Sequence, residues 1–150
     1  MNQGPVEDRL AIRELIDTFA AGAMRVDARL WGDTWADEGV WKLPSMSEPV
    51  RGREAIVAAF LEKMEYVGFM SMIAFPAELD VDGERARGKA YCRELIFPKS
   101  GGQRTVVGCF DDEYVKRDGR WFFLSRVYEV IGSEETGRSA STLPSASAET

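Results

Sequence analysis

Three ionisable side chains stand in rows of residues that are otherwise apolar or small. Asp27 ends the apolar face of a predicted first helix, Glu94 shares a strand face with small residues, and Arg126 shares one with aromatic and aliphatic residues. Desolvation disfavours the charged form of a carboxyl group, so a carboxyl group can serve as a general base if burial raises its pKa. A guanidinium in such a row needs a carboxylate or polar ligand beside it, and it can stabilise negative charge on an oxygen atom. We therefore treat these residues as candidates for proton-transfer chemistry.

The sequence contains no histidine, which excludes several classes of catalytic and metal sites. Histidine metal ligands, Ser-His-Asp triads and histidine general bases are all excluded. The sequence also lacks a glycine-rich phosphate loop and a dinucleotide fingerprint, so we expect no metal and no cofactor. A base must then be a carboxylate, a phenol, a lysine or a water molecule.

Length and charge are those of one acidic globular domain. The 150 residues are 45% hydrophobic and carry a formal net charge of −6. Such a chain, with only short Lys/Arg clusters, is not expected to bind nucleic acid or a membrane. The polar N-terminus does not resemble a signal peptide, so we expect a cytoplasmic protein with Cys92 and Cys109 reduced.

Residues 105–131 predict a long β-hairpin. β-branched and aromatic residues flank Asp118-Gly119, a dipeptide typical of two-residue hairpin turns. Alternation predicts the residues that share a face: Val106, Gly108, Phe110, Asp112 and Tyr114 on the first strand, and Phe122, Leu124, Arg126, Tyr128 and Val130 on the second. Asp112 is therefore one acid that can pair with Arg126.

The earlier part of the chain predicts three helices and further strands. Apolar residues at helical spacing precede Asp27, which either caps the next helix or points into a cavity. That next helix is short, contains Trp31 and Trp35, and is predicted to end near Gly39. A strand from Val40 to Leu43, a helix after Gly52 and a strand from Phe69 to Val81 follow, the last interrupted at Pro76.

The next strand has a face of small residues, which fits close crossing by another element or the wall of a cavity. That face consists of Ala86, Gly88, Ala90, Cys92 and Glu94. The opposite face, with Arg87, Lys89, Tyr91, Arg93 and Leu95, suits an interface with a partner. Residues 1–132 are predicted to form the domain and residues 133–150, rich in Ser, Thr and Ala, a disordered tail.

Helices followed by an antiparallel meander predict an α+β fold. A curved sheet wrapped around helices leaves a cone-shaped cavity, and the side chains expected to line it are mostly aromatic or apolar. These are Phe19, Trp41, Phe60, Met72, Cys92, Phe110, Asp112 and Tyr128. Such a lining favours a small hydrophobic ligand, cyclic or aromatic.

The combination of these elements resembles the SnoaL-like branch of the nuclear transport factor 2-like superfamily. The resemblance is based on the helix that leads to Asp27, the strand at Trp41, the helix that begins GREAI and the segment FDDEYVKRDGRWFFLSR. The resemblance covers roughly Val6 to Ile131 and implies a cone-shaped α+β barrel with N-terminal helices in a strongly curved, antiparallel or mixed sheet. It also implies a homodimer or homotrimer.

Within that superfamily the chain resembles hexachlorocyclohexane dehydrochlorinases and scytalone and bile-acid dehydratases, which eliminate without a cofactor. Their dyad aspartate matches Asp27 and their pocket arginine matches Arg126, whereas the dyad histidine falls nearest Met72 and the pocket lysine near Gly22, so both are absent. The resemblance and the helical spacing together favour Asp27 as the acid–base group, with Glu94 in reserve.

Three functions remain open from the sequence. The first is a cofactor-independent lyase or isomerase for a small hydrophobic molecule. The second resembles limonene-epoxide hydrolases, in which an arginine flanked by two acids activates water; Asp27, Arg126 and Glu94 or Asp112 would supply that set. The third is a non-catalytic small-molecule binder, in which Arg126, Glu94 and Asp112 form a structural ion-pair network.

Overall fold

The computed structural model describes residues 2–137 of the chain, with three helices and six strands in that range. The elements are α1 (Val6–Arg25), α2 (Ala28–Gly32), β1 (Trp35–Lys42), β2 (Val50–Arg51), α3 (Arg53–Met64), β3 (Val67–Asp82), β4 (Arg85–Pro98), β5 (Gln103–Arg117) and β6 (Arg120–Thr136). The predicted α+β class is confirmed.

All six strands form one sheet, in the order β2-β1-β6-β5-β4-β3. Neighbouring strands are antiparallel except β1 and β6, which run parallel, so the sheet is mixed. The sheet curves around the helices, and α1 packs chiefly against β3 while α3 packs against β1. The result is the predicted cone-shaped barrel, with the hydrophobic core between its concave face and the helices.

Rings from several elements make up much of the core. Phe19 of α1 lies within 5.1 to 6.3 Å, between ring centroids, of Trp31, Trp35 and Phe123. The rings of Trp31 and Phe60 stack at 4.1 Å with only 13° between their planes. Offset and edge contacts of this kind stabilise aromatic pairs beyond simple burial. They fix α1, α2 and α3 against the strands.

The hairpin between β5 and β6 turns at the predicted dipeptide. Arg117 pairs with Arg120, and Asp118 and Gly119 have φ values of 50° and 76°. Two consecutive residues with positive φ form the turn whose twist matches that of the flanking strands, and glycine adopts this conformation without steric cost.

The prediction for the second helix is wrong at its end. The helix stops at Gly32, and Trp35 already begins β1, which was predicted to start at Val40. Trp35 pairs with Phe123 of β6, and the Phe123 amide donates to the Thr34 carbonyl at 2.8 Å. Pairing with a strand distant in sequence therefore overrides the helical spacing of the local residues.

The face predicted for β6 is also wrong in its first half. Tyr114 pairs with Phe123 whereas Glu113 pairs with Ser125, so Leu124 is an extra residue in the ladder. A bulge of one residue exchanges the two faces of the strand. Phe123 is consequently buried on the side of Arg126 and Tyr128, while Phe122 and Leu124 are only partly buried.

The predicted boundary at residue 132 falls inside β6, which continues to Thr136 because residues 133–136 pair with the start of β5. The remainder of the predicted disordered tail, residues 138–150, lies outside the described residues. In the part of the chain that the structure describes, no helix has the length and apolar character needed to cross a bilayer.

Candidate active site

A cavity of about 770 Å³ lies between the helices and the concave face of the sheet. Of the residues predicted to line it, six do so: Phe19, Trp41, Phe60, Met72, Phe110 and Tyr128. Glu94 also lines it, and exposed side chains such as Tyr66 and Glu62 lie at its rim. The volume falls in the range that holds a drug-sized ligand, and the lining is mainly apolar.

Glu94 is the carboxyl group in the partly buried wall of this cavity. It lies on β4, where its cross-strand neighbours are Met72 of β3 and Val106 of β5. Burial raises the pKa of Glu94, while hydrogen bonding to Tyr128 and Cys92 and the charge of Arg104 lower it in part. The protonated form is therefore favoured more than in an exposed glutamate, which suits a group that takes up or releases a proton.

Tyr128 reaches Glu94 from β6 by lying across β5. A Cβ added at Gly108 would come within 2.1 Å of the Tyr128 hydroxyl oxygen, so the ring occupies the space that a side chain at residue 108 would fill. The Cys92 thiol donates to the Tyr128 hydroxyl at 3.5 Å and lies 3.8 Å from Glu94 Oε1. Burial raises the pKa of the Cys92 thiol to about 12, and burial also raises the pKa of Tyr128. Both groups are thus neutral hydrogen-bonding partners of Glu94.

Arg126 lies outside the cavity lining, in a closed cluster of its own. Its Nε and Nη2 atoms donate to the two carboxylate oxygens of Asp112 at 2.8 and 2.9 Å, and both side chains have no solvent exposure. The Tyr114 hydroxyl donates to the same carboxylate at 2.9 Å. Burial raises the pKa of Asp112, whereas Arg126 and Tyr114 lower it. Since a guanidinium is always protonated, the two-pronged bond holds Asp112 as a carboxylate.

Aromatic rings enclose the Arg126 guanidinium. Its central carbon lies 3.7 Å from the ring centroid of Phe110, 4.1 Å from Phe123 and 4.4 Å from Phe19. These contacts are cation–π interactions in a desolvated environment. Together with Asp112 they surround the charge of Arg126 within the core, while its Nη1 atom makes no hydrogen bond to the described residues.

Asp27 caps a helix. Its Oδ1 atom accepts from the Leu30 amide at 3.0 Å, at the N-cap of α2, and the residue does not line the cavity. The expectation that Asp27, Glu94 and Arg126 share one cavity is therefore wrong: Glu94 lines it, and the other two are held elsewhere. Asp112 and Cys92 were expected to line the cavity and do not, although Cys92 contacts Tyr128 and Glu94.

Some cavity residues were not foreseen from the sequence. Arg104 at the start of β5 pairs with Ile96 and lowers the pKa of Glu94 through its charge. Lys63 at the end of α3 donates to Ser45 Oγ at 3.3 Å and so connects the helix to the loop after β1. The only sequence signal for that loop was its two prolines and two serines. Among residues 2–137, no three Cys, Asp or Glu side chains are grouped to hold a metal ion.

Comparison with known proteins identifies the family. The model of the SnoaL-like domain matches residues 5–127. The chain belongs to this SnoaL-like family. The resemblance inferred from the hairpin and the helix before Asp27 is thereby confirmed. No curated protein matches the chain in sequence.

Solved structures of low identity share the fold over nearly the whole chain. A protein from Novosphingobium aromaticivorans assigned as an aromatic ring hydroxylase superposes with a TM-score of 0.81 at 23% identity, covering 89% of this chain and 96% of that one. A type 2 hexachlorocyclohexane dehydrochlorinase gives 0.81 at 16% identity, with 88% and 90% coverage. A protein from N. aromaticivorans assigned as a scytalone dehydratase gives 0.79 at 14% identity, with 90% and 91% coverage.

Proposed function

We propose that the protein is a cofactor-independent lyase or isomerase in which Glu94 moves a proton on a small hydrophobic, cyclic or aromatic molecule. The observation that carries this proposal is the position of Glu94. It is a carboxyl group with a raised pKa in the wall of a mainly apolar cavity; its hydrogen-bonding partners Tyr128 and Cys92 are neutral, and Arg104 acts on it through charge alone. Fold-level similarity to a dehydrochlorinase is consistent with elimination chemistry, but the argument depends on the site.

The proposed step begins with ionised Glu94 accepting a proton from a carbon atom of the ligand. The electron pair of that C–H bond moves onto an adjacent carbonyl, or it expels a leaving group from the neighbouring carbon. As Glu94 takes up the proton, the single O–H of Tyr128, which bonds the Glu94 carboxylate, can turn to donate to the oxygen atom that becomes negative. In isomerisation, Glu94 returns the proton to a different carbon; in elimination, the proton is released to solvent.

The acid–arginine–acid arrangement of an epoxide hydrolase receives less support. Both carboxylate oxygens of Asp112 accept hydrogen bonds from Arg126, and Asp27 accepts a hydrogen bond from the backbone of α2. Water activation would need two acids that share a ligand with the arginine inside the cavity. The non-catalytic binder is an outcome of the experiment below.

The test is proton exchange followed by product analysis. The purified protein is incubated in D₂O, without added cofactor, with a panel of cyclic ketones, phenols, epoxides and aromatic alcohols, and each compound is examined by mass spectrometry. We expect deuterium incorporation or an elimination product from at least one compound. Glu94→Gln should lower that rate by about 10²-fold or more, the size typical of a general base.

Glu62→Gln is the matched control because it makes the same change at the exposed rim of the same cavity. It should leave the rate within about twofold of the wild type. Full activity in Glu94→Gln would refute the role of Glu94. Binding without exchange or product in the wild type would favour the non-catalytic function.

We further propose that the protein forms a homodimer or homotrimer through the outer face of β3 and β4. Phe69, Ile73 and Phe75 of β3 are 54%, 68% and 48% exposed, and they adjoin the β4 row that includes Tyr91 and Arg93. Exposed aromatic residues with arginine are typical of interfaces.

Sedimentation at micromolar concentration should show an oligomer, and Ile73→Lys should weaken the association. Leu10→Lys is the control because it places the same charge at an exposed leucine of α1, and it should leave the association unchanged. A wild-type monomer would refute the proposal.

A further inference from the structure

Methionine is concentrated around the cavity. Of the five methionines among residues 2–137, four line it: Met46, Met64, Met70 and Met72. They come from the loop after β1, the end of α3 and the inner face of β3. The Met46 sulfur already accepts from the Leu43 amide at 3.3 Å, whereas Met70 and Met72 lie two residues apart on one strand face and are buried against the cavity.

Met70 and Met72 lie on the cavity side of β3, the edge strand next to β4. Tyr128 reaches the same part of the wall from β6, because its hydroxyl lies beside Cys92 and Glu94 of β4. A ligand beside Glu94 is therefore close both to the thioethers of β3 and to the Tyr128 ring.

Thioethers distinguish aromatic from saturated rings. A polarisable sulfur gains a favourable contact with an aromatic ring, and the unbranched methionine side chain adapts its shape to a flat surface. A saturated ring buries apolar area equally well but lacks that contact. Met72 is the cross-strand neighbour of Glu94, so a ring held against Met72 lies next to the carboxyl group.

We infer that the cavity selects planar aromatic rings over saturated rings of the same size, with the ring seated on Met70 and Met72 beside Glu94. The inference rests on the proposed function in that it names the substrate class of the same site. It does not require turnover for its test, so binding and activity can fail separately.

The test uses benzyl alcohol and cyclohexylmethanol, which differ only in the saturation of the ring. The saturated compound is the more hydrophobic of the two, so apolar burial alone predicts that it binds more tightly. Sulfur–aromatic contact predicts the reverse. We expect titration calorimetry of the wild-type protein to give about fivefold tighter binding of benzyl alcohol.

The double variant Met70→Leu/Met72→Leu removes both sulfur atoms at nearly constant volume. It should lose the preference for benzyl alcohol and bind cyclohexylmethanol as the wild type does. Met24→Leu is the control because Met24 lies on α1, is 39% exposed and does not line the cavity. Its binding of both probes should match that of the wild type.

NMR of methyl-¹³C methionine gives a second measurement. Benzyl alcohol should shift the Met70 and Met72 methyl resonances by its ring current and leave Met24 in place. Equal affinity for the two probes, an unchanged preference in the double variant, or no saturable binding of either probe would each overturn the inference. None of these outcomes would affect the proposed role of Glu94, which is judged by the exchange rate of Glu94→Gln.

Discussion

Two inward-facing carboxyl groups on adjacent strands, Asp112 of β5 and Glu94 of β4, have opposite surroundings. Asp112 is fully buried, accepts two hydrogen bonds from Arg126 and a third from Tyr114, and does not line the cavity. Glu94 is partly exposed to the cavity, and its closest partners are the neutral Tyr128 and Cys92. One carboxylate has a fixed cation and the other has none in direct contact among the described side chains.

The difference distinguishes a buried acid that stabilises the fold from one that can take up and release a proton. A carboxylate bonded through both oxygens to a guanidinium cannot change protonation without leaving a buried charge unpaired. A carboxyl group beside neutral donors can change protonation at modest cost, since the same donors bond to either form. We therefore expect Asp112 to contribute to stability and Glu94 to reactivity.

Replacing Arg126, the cation that pairs with Asp112, should lower the free energy of unfolding more than any other substitution discussed below. Arg126→Met leaves Asp112 buried without its partner, which typically costs 3–5 kcal/mol of unfolding free energy. Equilibrium unfolding in urea would measure the loss. Glu94→Gln, which removes a carboxyl that has no such partner, should be nearly as stable as the wild type.

A double variant sharpens this prediction. Replacing both members of the pair, as in Arg126→Met/Asp112→Leu, should recover part of the stability because no unpaired buried charge remains. If Arg126→Met alone unfolds like the wild type, the cluster is not the structural element described above.

The second-largest effect is expected at Gly108, where the missing side chain leaves the space through which the Tyr128 ring reaches Glu94. In Gly108→Ala the added Cβ would overlap the Tyr128 ring, with contacts of 2.1 Å to the hydroxyl oxygen and 2.2 Å to Cζ. Displacing the ring should cost about 1–3 kcal/mol of stability, the usual range for overpacking. It should also lower the exchange rate, since Tyr128 would leave Glu94.

Gly132→Ala is the matched control because it lies on β6 and has no atom within 4 Å of the added Cβ. It should change neither stability nor rate appreciably. Equal behaviour of the two alanine variants would show that the crossing of Tyr128 over β5 does not position Glu94.

Several parts of this comparison could be predicted from the sequence. Alternation along residues 106–114 correctly placed Asp112 on the inner face, and alternation along β4 placed Glu94 on a face of small residues. The hairpin turn and the third helix followed from Asp118-Gly119 and the apolar spacing after Gly52. These features depend on local periodicity, which sequence reports directly.

Other parts depend on tertiary pairing and could not be predicted. The bulge at Leu124 appears only when β6 is paired with β5, and it decides which residues lie beside Arg126. The cap formed by Asp27 depends on where α2 begins, and helical spacing alone left that choice open. The approach of Tyr128 to Glu94 requires the registers of three strands together with the space at Gly108.

The smallest effect is the pH dependence of stability contributed by Glu94. Its pKa in the folded state lies above the ordinary value of 4.5 because burial disfavours the carboxylate. Below the unfolded-state pKa both states hold the proton, and between the two pKa values only the folded state does. The unfolding free energy from this group therefore falls as pH rises through that interval and stays level above it, with a slope of at most about 1.4 kcal/mol per pH unit.

Glu38 acts in the opposite direction, because Arg117 lowers its pKa to about 2 and its contribution is lost as pH falls from the ordinary value toward that pKa. The wild-type curve alone therefore mixes both signs, and the informative quantity is the difference in unfolding free energy between wild type and Glu94→Gln. Glutamine does not titrate, so this difference should shift in favour of the variant as pH rises from about 4.5. Urea unfolding at half-unit steps from pH 4 to pH 8 would measure it. A difference that shifts in favour of the wild type would mean that Glu94 is stabilised as a carboxylate, and the contrast with Asp112 would no longer hold.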